Sequence, residues 1–229
     1  MRTRITAHSG ADDTVENSLE FIYYCIGTGA NALEVDVRRD KHGELVLSHD
    51  ILDAENYDFT KIRLKDVFEI LEKDNSIKIN CDLKEYDLEL QIIMLLEKYK
   101  GLKGRIIFSG SVRLENLKKY KEIKEKAVIY FNIEEFIDNH KKLPIKELSR
   151  EIVAFCIENS TNIVNMNYKL CTNYLVRLLK ENNIYISVWT VDNQEEIKRL
   201  ASLGILNITT REITKSLETL QTYRVRKIV

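Results

Sequence analysis

Four ionisable side chains early in the chain have the types and spacing for acid–base and metal chemistry: His8, Glu34, Asp36 and His49. Glu34 and Asp36 stand two residues apart in the apolar run ALEVDV. A strand repeats every two residues, so both carboxylates point to one face. His8 closes the apolar run RITA and His49 closes ELVLS. Two histidines that titrate near neutrality, set at strand ends beside paired carboxylates, form a site for a divalent metal flanked by an acid and a base. Further on, INCDLKE places Asp82 and Lys84 two apart, again on one face. Three carboxylates suit a hard cation, Mg²⁺ or Ca²⁺, which takes oxygen ligands. Lys84 adds a positive charge for an anionic substrate.

Such residues need a scaffold that brings distant strand ends together. Apolar, β-branched runs recur at 4–7, 32–37, 77–84, 105–109, 127–131, 162–167, 184–191 and 206–209, with 44–48 read as an extension hairpinned onto the second run. Between them lie segments with apolar residues at i, i+3 and i+4, among them SLEFIYYCIGTG, LKDVFEILEKD, LVRLLKENN and QEEIKRLASLG. Gly27, Gly29 and Gly204 stand where helices should stop. Residues 133–160 hold more helix than one crossover needs and predict two segments broken near Pro144, the only proline. Strand–helix alternation predicts an α/β fold with a parallel sheet, and eight such units in about 200–250 residues predict a TIM (β/α)8 barrel. A doubly wound open sheet shares the alternation, but no Gly-x-Gly-x-x-Gly follows the first strand. No Pro- or Gly-rich linker interrupts the chain, so residues 1–229 read as one domain. In a TIM barrel the active site lies at the C-terminal strand ends, where His8, Glu34, Asp36, His49, Asp82, Lys84 and Trp189 all fall.

Composition narrows the function classes. The hydrophobic fraction of 44% supports a large core, and a net charge of −1 offers no basic surface for nucleic acid. No apolar run reaches the roughly 18 residues of a membrane span. The N-terminus MRTRITAHSG enters a strand without room for a secretory signal, which predicts a cytoplasmic protein. Cys25, Cys81, Cys156 and Cys171 lack CxxC spacing and read as reduced, buried thiols. Cys81 has the opposite strand parity to Asp82, which sets it apart from the carboxylates.

The order and wording of these segments resemble the glycerophosphodiester phosphodiesterases. That family runs His-Arg-Gly, Glu-Asn-Thr, Glu-x-Asp-Val, Lys-x-Gly and His-Asp, and here those places hold His8-Ser9-Gly10, Glu16-Asn17-Ser18, Glu34-Val35-Asp36-Val37, Lys41-His42-Gly43 and His49-Asp50. The family's Glu-x-Lys is matched by Asp82 and Lys84, and its Val-Trp-Thr-Val-Asn by Val188-Trp189-Thr190-Val191-Asp192. The closing segment GILNITTREIT keeps Thr210 but lacks the family's Asp and Pro. The resemblance spans residues 6 to about 213 and is weakest between Arg105 and Asn167.

The resemblance implies that His8 and His49 are the catalytic pair, that Glu34, Asp36 and Asp82 hold one divalent cation, that Lys84 lies near the phosphate and that Trp189 packs on the substrate's carbon chain. Two departures stand out. Asp82 is one methylene shorter than the family's glutamate, and Ser9 replaces its arginine in the phosphate-binding position. Serine cannot make the bidentate charged contact that arginine makes with phosphate. Arg38, on the same strand face as Glu34 and Asp36, and Arg113, after the fourth strand, are the candidates to supply a replacement guanidinium. Asn17 and Glu16 read first as a helix start and second as site supports, Asp50 as a loop cap, and His42 and His140 as surface residues.

The function that follows is metal-dependent hydrolysis of a small glycerophosphodiester to glycerol 3-phosphate and an alcohol, a reaction of glycerol and lipid metabolism. Two other readings fit the same residues. One is a weak or inactive barrel that binds a phosphorylated metabolite, which Ser9 favours. The other is a lipid phosphodiesterase of phospholipase type, which the absence of an aromatic, exposed loop disfavours. Only 27 residues separate His49 from Ile77, and 64–72 among them is helical in pattern, which predicts a site open on that side.

Overall fold

A computed structural model describes residues 2–52 and 61–228, along which strands and helices largely alternate. Two compact units divide it, Thr6–Ile129 and a second made of Met1–Ile5 with Tyr130–Val229.

The first unit holds β1 (Arg4–Ala7, its second half), α1 (Leu19–Thr28), β2 (Ala32–Arg39), β3 (Leu45–Leu47), α2 (Leu64–Lys73), β4 (Lys78–Leu83), α3 (Glu89–Leu96), β5 (Ile106–Gly110), α4 (Leu114–Lys119), α5 (Lys121–Lys126) and β6 (Ala127–Ile129). Its strands pair in parallel in the order β6-β5-β4-β2-β1, and β3 pairs antiparallel with β2. That hairpin extends β2 two residues beyond the predicted Val37, because Arg38 and Arg39 gain Val46 and Leu45 as partners. Six consecutive residues of β2 are buried, as expected for a parallel strand covered on both faces. Helix α1 starts where the Ser18 hydroxyl accepts the Phe21 N–H and stops at Gly29, whose φ of 82° suits a residue without Cβ. Leu64, Val67, Phe68 and Leu71 of α2 follow the predicted spacing and are all buried.

One register matters for function. Asp36 of β2 is the Cα partner of Asp82 on β4, and Asp82 is the partner of Ser109 on β5. Glu34 is the partner of Asn80 one pleat earlier. Three adjacent strands thus carry their polar residues in two cross-strand rows at the C-terminal end of the sheet.

The second unit holds β7 (Phe131–Asn132), α6 (Glu134–Asn139), α7 (Ile145–Glu158), β8 (Ile163–Asn167), α8 (Asn173–Glu181), β9 (Tyr185–Trp189), α9 (Gln194–Ser202), β10 (Asn207–Thr210) and α10 (Ile213–Ile228). It continues from the first half of β1 in the order β1-β10-β9-β8-β7. The run 127–131 is two strands rather than one: β6 bonds β5, β7 bonds β8, and Tyr130 lies between them. The two helical segments separated at Pro144 are as predicted, with the proline capping α7. Among the described residues no helix is long and apolar enough to cross a membrane.

Candidate active site

The Thr6–Ile129 unit brings Glu34, Asp36, Asp82, Lys84, His8 and Ser9 into one polar cluster. Ligand atoms of Glu34, Asp36 and Asp82 all lie within 4.8 Å of one another. Glu34 and Asp36 are 8% and 2% exposed, too buried for carboxylates without compensation. Lys84 supplies part of it. Its ammonium lies 2.9 Å from Asp36 Oδ1 and 2.6 Å from Asp82 Oδ2. Burial by itself would lower the Lys84 pKa, but the attraction of Asp82 and Asp36 outweighs it and the net shift is upward. Three carboxylates and one ammonium leave a formal deficit that a dication neutralises, and the donor set is all oxygen. The residues present therefore fit a hard divalent cation.

The far oxygens of the two aspartates are also engaged. Asn17 Nδ2 donates to Asp36 Oδ2 at 2.8 Å, and the Asn17 amide oxygen accepts the Asp36 backbone N–H at 2.9 Å. Ser109 Oγ donates to Asp82 Oδ1 at 2.6 Å and accepts from Asn80 Nδ2 at 2.9 Å.

Ser9 is fully buried, and its hydroxyl accepts the Asn17 backbone N–H at 2.7 Å. Next to it Gly10 has a φ of 78°, and a Cβ there would run into the Glu16 side chain, so the loop after β1 requires glycine.

His8 sits against this cluster, its Nε2 4.0 Å from Glu34 Oε1. Its Nδ1 meets the Ser9 carbonyl oxygen at 2.8 Å, and a carbonyl only accepts, so Nδ1 carries a proton. In the neutral ring Nε2 is then the basic nitrogen. His49 is more exposed, with Nδ1 bonded to the Asp50 carboxylate at 2.9 Å. That hydrogen bond from His49 holds the Asp50 carboxyl below its usual range. Arg38 fixes the His49 backbone by donating from Nε and Nη2 to its carbonyl at 3.1 and 3.0 Å.

The arginines expected to replace a missing guanidinium have these partners. Arg38 is bonded to the His49 carbonyl. Arg113 caps α4, lies over the Tyr86 ring at 4.5 Å and faces Asp87 at 3.7 Å. Trp189 ends β9 in the other unit, half-buried, and its indole N–H has no hydrogen-bond acceptor among the described residues. Ser109 and Asn80 escaped the sequence reading. The signal was present in their strand positions: Asn80 shares the parity of Asp82, and Ser109 is a polar residue ending the apolar run RIIFS.

The chain matches the sequence model of the Glycerophosphoryl diester phosphodiesterase family over residues 55–215. A glycerophosphodiester phosphodiesterase of Caldanaerobacter subterraneus subsp. tengcongensis is 24% identical, covering 92% of this chain and 94% of that relative. Among solved structures, the glycerophosphodiester phosphodiesterase of Thermotoga maritima superposes with a TM-score of 0.71 at 22% identity, covering 95% of this chain and 98% of its own. An Oleispira antarctica phosphodiesterase, solved in complex with the product sn-glycerol-3-phosphate, superposes with a TM-score of 0.73 at 13% identity, covering 96% and 97%. These likenesses assign the α/β TIM-barrel fold that strand–helix alternation predicts.

Proposed function

Because the chain belongs to the glycerophosphoryl diester phosphodiesterase family, a family of phosphoric diester hydrolases, we propose that it hydrolyses a small glycerophosphodiester to glycerol 3-phosphate and an alcohol, using one divalent cation. The observation that carries this reading is the meeting of Glu34, Asp36 and Asp82 with Lys84 on adjacent strand ends, with His8 against Glu34. The product named for the Oleispira antarctica relative agrees with glycerol 3-phosphate as the product here.

Glu34, Asp36 and Asp82 would hold Mg²⁺ or Ca²⁺, which supplies charge stabilisation to the phosphoryl oxygens when bound. Lys84 adds a fixed positive charge beside the same oxygens. His8, with Nδ1 committed to the Ser9 carbonyl, presents Nε2 as the base that takes the proton of the attacking oxygen. His49, with Nδ1 on the Asp50 carboxylate, is suited to carry a proton to the leaving alkoxide. One P–O bond forms and one breaks, and one proton passes through each ring. Ser9 stands in the position of the family's arginine and contributes no guanidinium, so Lys84 carries the protein's positive charge at the cluster. Trp189 is assigned to the substrate's carbon chain on the family resemblance. Residues 1–229 are read as one catalytic domain, and the four free, buried cysteines support a reducing, cytoplasmic compartment.

The test is release of glycerol 3-phosphate from glycerophosphocholine with Mg²⁺, Ca²⁺ or chelator. Cation-dependent release supports the reading, and its absence from folded protein favours a barrel that binds without turnover.

A further inference from the structure

Each aspartate of the cluster divides its two oxygens in the same way. Asp36 gives Oδ2 to the Asn17 amide and turns Oδ1 to Lys84. Asp82 gives Oδ1 to the Ser109 hydroxyl and turns Oδ2 to Lys84. The neutral donors sit behind, and the two inner oxygens converge on one positive charge.

The donors are themselves held. Asn17 has a φ of 52°, a left-handed conformation that asparagine tolerates. Its side chain grips Asp36 twice, through Nδ2–H to the carboxylate and through Oδ1 from the Asp36 backbone N–H. This double contact fixes which way the amide faces. Its own N–H is tied to the buried Ser9 hydroxyl. On the other side, Ser109 Oγ accepts from Asn80 Nδ2, so its hydrogen is directed to Asp82.

We propose that Asn17 and Ser109 are positioning residues that preset the cation-facing oxygens of Asp36 and Asp82, and that Ser9, where the family has arginine, serves this chain as the anchor of Asn17. The inference rests on the metal reading above. A carboxylate with one oxygen held cannot swing, so the other oxygen is aimed before a cation arrives and the ordering cost falls outside the binding step. The two supports reach their aspartates from separate elements, the loop after β1 and the strand β5. Both aspartates share Lys84 and one cation, so the two losses reinforce each other without being strictly multiplicative.

The experiment is calorimetric titration of Mn²⁺ into the full chain, with the Mn²⁺ EPR signal as a second readout and circular dichroism to show that each variant is folded. Asn17→Gly keeps the left-handed backbone and removes only the amide. Ser109→Ala removes only the hydroxyl. Each should weaken Mn²⁺ binding about 10- to 100-fold, the usual cost of losing a group that orients a metal ligand. The double variant should bind Mn²⁺ more weakly than either single variant, and Ser9→Ala should weaken binding in the same direction as Asn17→Gly. Folded variants that bind Mn²⁺ within twofold of wild type overturn the positioning roles while leaving the metal reading intact. A wild-type chain that binds no Mn²⁺ overturns both. If one variant fails to fold, the other together with Ser9→Ala decides.

Discussion

Asp36 and Asp82 are register partners on adjacent parallel strands, and one carboxylate oxygen of each reaches the same Lys84 ammonium, at 2.9 and 2.6 Å. Lys84 leaves the strand two residues after Asp82, so the motif Asp-x-Lys carries an acid and its counter-charge on one face. Under the proposed function, these two charges are the ones assigned to the phosphodiester and its cation.

Lys84 should contribute to stability through these two contacts. Its folded pKa is raised above the ordinary lysine value of 10.5. A raised cationic group stabilises the fold fully below the ordinary value and loses that contribution only as pH climbs past it. Lys84→Met leaves the buried Asp36 and the partly buried Asp82 carboxylates without their counter-charge and should cost about 3 kcal/mol. Urea unfolding at several pH values from 6 to 9 checks this: the difference from wild type should stay constant across the window. A difference that vanishes by pH 8 contradicts the pairing.

Replacing Ser9 by arginine should not restore a stronger enzyme. The Ser9 side chain is fully buried and accepts the Asn17 N–H. Ser9→Arg inserts a long charged chain there and removes that acceptor. Overpacking of this kind costs about 1–3 kcal/mol. Thermal unfolding should show a lower midpoint, and the rate of glycerol 3-phosphate release should not rise. A large gain in rate would show that the loop after β1 has room for the guanidinium.

Much of the site was legible because strand parity is a local rule. Glu34 with Asp36, and Asp82 with Lys84, share a face by spacing alone, and their convergence needed only that neighbouring strands be in register. The hairpin of β3 on β2 was legible from the turn Asp40–Glu44, whose Asp40 N–H bonds the Glu44 carbonyl. The partners of Asp36 were less legible. Asn17 lies 19 residues away, and its grip depends on a left-handed backbone and on a bond to Ser9 that no periodicity encodes. Arg38 has the parity of Asp36, yet its guanidinium turns to the His49 carbonyl, because a long side chain at the end of a strand selects its partner by reach. The break at Tyr130 is a pairing effect: an apolar run of five residues reads as one strand until β6 and β7 bond different neighbours.

The cysteines should be inert in the folded protein. Burial pushes the Cys25, Cys156 and Cys171 thiols up to about 12 and raises Cys81 as well. At pH 8 all four are thiols rather than thiolates, the poorly nucleophilic form. Ellman's reagent should therefore titrate no thiol in the native protein and four in denaturant. Rapid native labelling of any cysteine contradicts the burial.

The most direct test of the central claim is release of glycerol 3-phosphate from glycerophosphocholine, glycerophosphoethanolamine and glycerophosphoglycerol. Each is run with Mg²⁺, Ca²⁺, Mn²⁺ or chelator, alongside His8→Ala and His49→Ala. Cation-dependent release is expected from at least one substrate, lost with chelator and lowered about 10²- to 10⁴-fold by either substitution, the usual contribution of a general acid or base. No release with any cation from folded protein, or release indifferent to both histidines, would contradict it.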